Sequence, residues 1–148
     1  MAIDFSTYSK NTLEYANEVS LATGADLIII NIINQREIDS TEKMMDSKYP
    51  NEFSLATYFP AKIDRRRLKF KALITGCGFK KRSEIKIIID HGIPFKAVLK
   101  AIDEEKADLL VIGPKGRTNL KRLLFGSVAE KLFRHSPVPV MSLRSRSE

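Results

Sequence analysis

The stretch whose residue types and spacing could hold a phosphate is Gly113-Pro-Lys-Gly116, followed after nine residues by Gly126-Ser127. It begins where the apolar run Asp108-Leu-Leu-Val-Ile112 stops and leads into a helical pattern, so a strand, a glycine loop and a helix N-terminus come in order. Glycine permits positive φ and close backbone approach, and a helix N-terminus presents unpaired N–H groups with a partial positive charge; together these are the parts of a phosphate cradle. Ser127 with Glu130 reads as an S-x-x-E capping box ahead of the apolar Val128, Leu132 and Phe133. The serine either caps its own helix or turns its hydroxyl to a phosphate. Lys115, Arg117, Lys121 and Arg122 add positive charge to the loop, each equally readable as solvated surface, while Leu120, Leu123 and Leu124 suggest a short docked helix within it.

The elements that must position this loop alternate along the chain. Isoleucine- and valine-rich runs at Asp26 to Ile33, Ile85 to Ile89, Leu109 to Ile112 and Val138 to Leu143 are separated by helical patterns. Continuous apolar runs predict strands covered on both faces. A helix is expected from near Ser9 to Gly24, a C′ glycine, with Leu13, Ala16, Val19 and Leu21 on its buried side. Repeated right-handed βαβ crossovers give an α/β fold with a doubly wound parallel sheet, Rossmann-like, with helices on both faces and ligands beyond the carboxyl ends of the strands. Between Asn34 and Pro60 the pattern fails, and a flexible or lid-like insertion is expected there. A basic helix should follow over Ile63 to Thr75, carrying Arg65, Arg66, Arg67, Lys69 and Lys71, ending at Gly76-Cys77-Gly78 and more readily read as a solvated face than as a site. Arg144 to Glu148 form a polar tail.

Composition bounds the class. A chain of 148 residues with 43% hydrophobic content fits one domain, 1–148, with a real core. The lone Cys77 forms no internal disulfide, and no signal segment or long uncharged run is visible, so a cytoplasmic location and no membrane partner are expected. A net charge of +7 favours anionic partners without choosing among nucleotides, nucleic acid and lipid head groups.

The other chemistry-bearing residues have plainer readings. Asp4 is a strand-end aspartate that is equally a turn former before Phe5-Ser6-Thr7. His91 reads as a turn residue before Gly92, and His135 as a cation in the last turn of its helix. The Walker A lysine pattern, a G-x-S-x-G elbow, an H-E-x-x-H pair and a nucleophile with a histidine partner are all lacking, which argues against a fast hydrolase and leaves no catalytic residue or protein metal site to name.

Gly113-x2-Gly116-x9-Gly126-Ser127 resembles the G-2x-G-9x-G-(S/T) signature of the ATP-binding branch of the universal stress proteins. Ala2-Ile3-Asp4-Phe5-Ser6 resembles that family's first strand and its acidic residue, Gly92-Ile93-Pro94 its third-helix entry, and Ser136-Pro137-Val138-Pro139-Val140 the approach to its last strand. The resemblance implies a five-stranded sheet of order 3-2-1-4-5 that binds ATP across strands one and four. Ala2, Ile3 and Asp4 would then lie beside adenine and ribose, Ile32 at the adenine edge, and Ile112 and Gly113 on the other side. Gly116, Gly126, Ser127 and Val128 would surround the phosphates, with Mg²⁺ or Mn²⁺ held mainly by phosphate oxygens and water. The chain starts three residues before Asp4, so the first strand is expected either to be short or to lack a few native residues.

The resulting expectation is a nucleotide-dependent stress-response or signalling module with at most slow ATP hydrolysis, acting on an unknown downstream protein. The resemblance also implies a homodimer through the last strand, where Val138, Val140 and Leu143 supply an apolar edge. Two alternatives stand beside it: an ATP-hydrolysing or adenylyl-transferring enzyme, and a nucleic-acid binder using the basic 62–82 surface with Lys80, Lys81 and Arg82.

Overall fold

Six residues of Ile28-Ile-Ile-Asn-Ile-Ile33, all but one β-branched, make the centre of the strand β1 (Leu27–Asn34), which is buried along almost its whole length. The computed structural model describes residues 1–48, 54–77, 85–114 and 126–143. Along these the order is α1 (Ser9–Thr23), β1, α2 (Gln35–Lys48), α3 (Leu55–Gly76), β2 (Ile85–Gly92), α4 (Pro94–Glu104), β3 (Leu110–Ile112), α5 (Ser127–His135) and β4 (Val140–Ser142).

The strands form two parallel pairs. β1 pairs with β2 from Leu27 opposite Ile85 to Asn34 opposite Gly92, and β3 with β4 from Leu110 opposite Val140 to Ile112 opposite Ser142. Ala2 joins the pairs by parallel bridges to Ile30 on one side and Ile112 on the other. The spatial order is therefore β2, β1, Ala2, β3, β4. Two apolar clusters flank this layer: Leu13, Ala16, Ile29, Phe70 and Val111 gather α1 and α3 on one face, while Ile30, Val98, Ile102, Leu110 and Leu132 gather α4 and α5 on the other.

The first strand is short, one of the two outcomes expected for it: it is reduced to the bridge at Ala2, because the Asp4 carboxylate accepts the Ser6 N–H at 2.9 Å and Phe5 takes φ 60°, bending the chain out of extended geometry. Other expectations need correction. β2 is not covered on both faces: Ile87 is exposed, as suits an outer strand. It also runs through His91 and Gly92, so His91 is a strand residue. On α1, Ser20 and not Leu21 occupies the buried face, since it falls seven positions after Leu13, and its hydroxyl donates to the Ala25 carbonyl at 2.6 Å.

The stretch after Asn34, read as a flexible or lid-like insertion, is helical over Gln35–Lys48. Asn34 Oδ1 accepts the Arg36 N–H at 3.0 Å at its start, and Ile38 is buried. Residues 49–53, within the same expected insertion, lie outside the described residues, as do Gly78 and the tail 144–148. α3 begins at Leu55, earlier than expected, with Pro60 inside it. Arg66 is no solvated cation: it is buried, 3.4 Å from the Glu37 carboxylate that also meets Lys62 at 2.6 Å, and it lies over the Phe5 ring.

α1 ends as expected, at Gly24 with φ +72° and no atom within 4 Å of where a Cβ would sit. Gly24→Ala therefore meets only backbone strain. It is expected to lower stability by about 1 kcal/mol, read as a lower urea midpoint at unchanged slope.

Candidate functional site

The carboxyl ends of β1 and β3, with Ala2 between them, open into a cavity of about 320 Å³. Ala2, Ile3 and Asp4 form its floor; Ile32 lines the β1 side, and Ile112 with Gly113 the β3 side. Gly126, Ser127 and Val128 bring the N-terminus of α5 to the same space. The structure thus gathers nine residues singled out in the sequence around one cavity, while Gly116 lies outside the described residues. Lys115, Arg117, Leu120, Lys121, Arg122, Leu123 and Leu124 also lie outside them.

Backbone pairing sets the floor. Ala2 N donates to Val111 O at 2.9 Å and Ile3 N to Ile30 O at 3.0 Å, so the chain is held from both sides just before Asp4. Asn31, fully buried in β1, donates from Nδ2 to Ile3 O at 2.8 Å and satisfies the last carbonyl before the turn. Phe5 then packs edge-on against Phe70 at 4.9 Å between centroids. Asp4 is left half-buried at the cavity floor, its carboxylate oriented by Ser6.

At the other wall the expected capping box does not form. The N-cap of α5 is Gly126, at φ −74° and ψ 154°, and Ser127 is the first helical residue, exposed and lining the cavity. Glu130 N donates to Gly126 O at 2.9 Å, while the Glu130 carboxylate pairs with Arg134 at 3.1 Å and does not reach back to the helix start. Gly126 N donates to Pro114 O at 3.0 Å, which ties together the two ends of the glycine loop. With no side chain on its N-cap, α5 directs first-turn N–H groups toward the cavity.

Sequence reading passed over Tyr8, Ser9, Asn34 and Arg36, which also line the cavity. The usable signal was position: Asn34 is the last residue of β1 and Arg36 comes two residues later, at the strand end where ligands of doubly wound folds bind. Ser9 is buried at the start of α1, and its Oγ has no hydrogen-bond partner among the described residues. His135 stands in the last turn of α5, as expected, and among the described residues no group of three or more His, Cys, Asp or Glu gathers to hold a metal. The Cys77 thiol, at the end of α3, has its pKa pushed up by burial first and then by the Glu14 carboxylate, with Lys10 acting the other way.

Parallel strands between two helical layers, with a ligand-sized cavity at their carboxyl ends, define an α/β protein of the Rossmann-like kind. The chain belongs to the universal stress protein family, which it matches over residues 1–144. It is 26% identical to the universal stress protein MJ0577 of Methanocaldococcus jannaschii, over 97% of this chain and 92% of that one. It is likewise 26% identical to a putative universal stress protein of Staphylococcus aureus, over 98% of this chain and 82% of that one. The solved structure of MJ0577 superposes with a TM-score of 0.73, covering 99% of this chain and 94% of that one. A universal stress protein solved in complex with cAMP, 22% identical, has the same fold at a TM-score of 0.59 over 97% of this chain and 93% of that one.

Two outcomes follow from these contacts. Asn31→Leu leaves the buried Ile3 carbonyl without its donor and is expected to lower stability by roughly 1–3 kcal/mol, measured by urea unfolding. Cys77 should be alkylated by iodoacetamide at neutral pH more slowly than glutathione. Glu14→Gln should speed that reaction, because removing the carboxylate favours the thiolate.

Proposed function

We propose that this chain is an ATP-binding universal stress protein, a nucleotide-dependent stress-response or signalling module. One observation carries the reading: Asp4, Ile32, Gly113, Gly126 and Ser127, distant in sequence, line a single cavity at the strand ends. Its volume of about 320 Å³ falls within the roughly 300–1,000 Å³ of small-molecule pockets. An apolar side at Ile32 and Ile112 suits a base, an aspartate at the floor suits ribose hydroxyls, and a helix N-terminus whose N-cap is a glycine suits phosphates. The family neighbour solved with cAMP supports an adenine nucleotide in this fold.

In this reading Ala2, Ile3 and Asp4 lie along adenine and ribose, with Ile32 at the base edge and Ile112 and Gly113 opposite. Gly116, Gly126, Ser127 and Val128 surround the phosphates. Mg²⁺ or Mn²⁺ is carried by phosphate oxygens and water, as the small, water-retaining shell of such cations prefers. In this reading the sheet is five-stranded in the order 3-2-1-4-5, with Ala2 in the place of the first strand; its parallel bridges to Ile30 and Ile112 support that reading.

Binding ATP stabilises one arrangement of the glycine loop, and a downstream protein recognises the surface so formed. Turnover is slow at most, because stabilising bound ATP does not by itself favour the transition state. A second copy pairs along β4, whose outer edge meets no other strand among the described residues. No described helix is long and apolar enough to cross a membrane. The nucleic-acid alternative loses Lys62 and Arg66, both engaged by Glu37; its Lys80, Lys81 and Arg82 lie outside the described residues.

The test is calorimetric titration of Mg-ATP into nucleotide-free protein and into Gly126→Val. The wild type is expected to bind, and the variant, still folded, to bind more than about tenfold more weakly, a change above 1.4 kcal/mol. A folded, empty wild type that ignores Mg-ATP overturns the reading.

A further inference from the structure

We propose that Arg36 recognises the base of the bound nucleotide, laying its guanidinium on the ring face. This rests on the nucleotide reading above and goes beyond it, because it assigns the end of the cavity opposite the glycines.

The cavity has two chemically distinct ends. Gly113, Gly126 and the glycine-led start of α5 make the β3 side, where backbone N–H groups favour an anion. Across Ala2 lies the β1 side, with Ile32 on the strand and Arg36 in the first turn of α2. Ala2 pairs with both strands, so the two sides are separated by two strand spacings, about 9.5 Å. A nucleotide whose phosphates sit on α5 therefore presents its base to Ile32 and Arg36.

Arg36 is placed for this and engaged in nothing else described. Its N–H donates to Asn34 Oδ1 at 3.0 Å, and its carbonyl accepts from Ser40 Oγ at 2.7 Å, so the backbone is fixed. Its neighbours are committed: Gln35 donates to Asp39 at 2.8 Å, and Glu37 holds Lys62 and Arg66. The guanidinium itself has no ion pair or side-chain hydrogen bond among the described residues. A planar cation beside an apolar isoleucine, away from the anion end, stacks on a purine; a lysine there lacks the plane.

The experiment compares Mg-ATP, adenosine and inorganic tripolyphosphate against wild type, Arg36→Ala and Arg36→Lys, with thermal melts to confirm folding. Arg36→Ala is expected to weaken Mg-ATP and adenosine by the same factor, about five- to thirtyfold, and to leave tripolyphosphate unchanged. Arg36→Lys should restore only part of the loss. The proposal falls if Arg36→Ala binds Mg-ATP like wild type. It also falls if adenosine is unaffected while the Mg-ATP loss vanishes in about 0.5 M NaCl, the mark of a phosphate contact. Failure of the wild type to bind either adenine ligand overturns the nucleotide reading itself, a result distinct from both.

Discussion

The two-sided backbone pairing of Ala2 is the constraint on which the rest of the structure depends. Without it β1–β2 and β3–β4 are separate ribbons, and two-stranded assemblies are marginal in water. With it the carboxyl ends of β1 and β3 are held on either side of one short segment, and the cavity is the gap beyond that segment. The hydrogen bonds Ala2 N to Val111 O and Ile3 N to Ile30 O thus join the sheet and set the cavity width together. Buried apolar side chains on both faces fasten the seam, since Ile29 and Ile30 on adjacent positions of β1 enter opposite clusters.

Much of this was legible in the sequence because it follows from local rules. β1 declares itself by an unbroken apolar run, and α1 by its apolar spacing and its terminal glycine. Gly113, Gly126 and Ser127 were legible together from their strand–loop–helix order, but that Asp4 and Ile32 share a cavity with them was legible only through family resemblance. What escaped was set by distant partners. α2 looks irregular because its stretch is polar; its ties are Asn34 at its start, the buried Ile38 and the ion pairs of Glu37 with α3. Arg66 reads as surface until Glu37 and Phe5 are seen around it. The capping box failed by one residue: Gly126, which also donates to Pro114 O across the loop, takes the N-cap.

Charge in this chain divides accordingly. The +7 surplus suggests a broadly anion-seeking surface, yet cations with structural duties are distinct from those facing open space. Lys62 and Arg66 join α3 to α2, and Lys86 reaches Glu105 at 2.6 Å to tie β2 to the end of α4. Exposed pairs such as Lys100 with Glu104 contribute little, because water screens them. Net charge is accordingly a poor guide to what the protein binds, and the cavity lining is a better one.

Phe5 carries a consequence of its own. Its φ of 60° is uncommon for an aromatic residue, and what surrounds it is α3: Phe70 edge-on, with Arg66 and Lys69 over the ring at 5.5 Å. Phe70 is fully buried and does not line the cavity, yet the turn that presents Asp4 leans on it. A genetic map of ligand-binding defects in this protein would therefore extend onto the far side of the sheet, where a lesion at Phe70 deforms the cavity from beneath. The boundary between residues that bind and residues that merely fold does not follow the cavity wall.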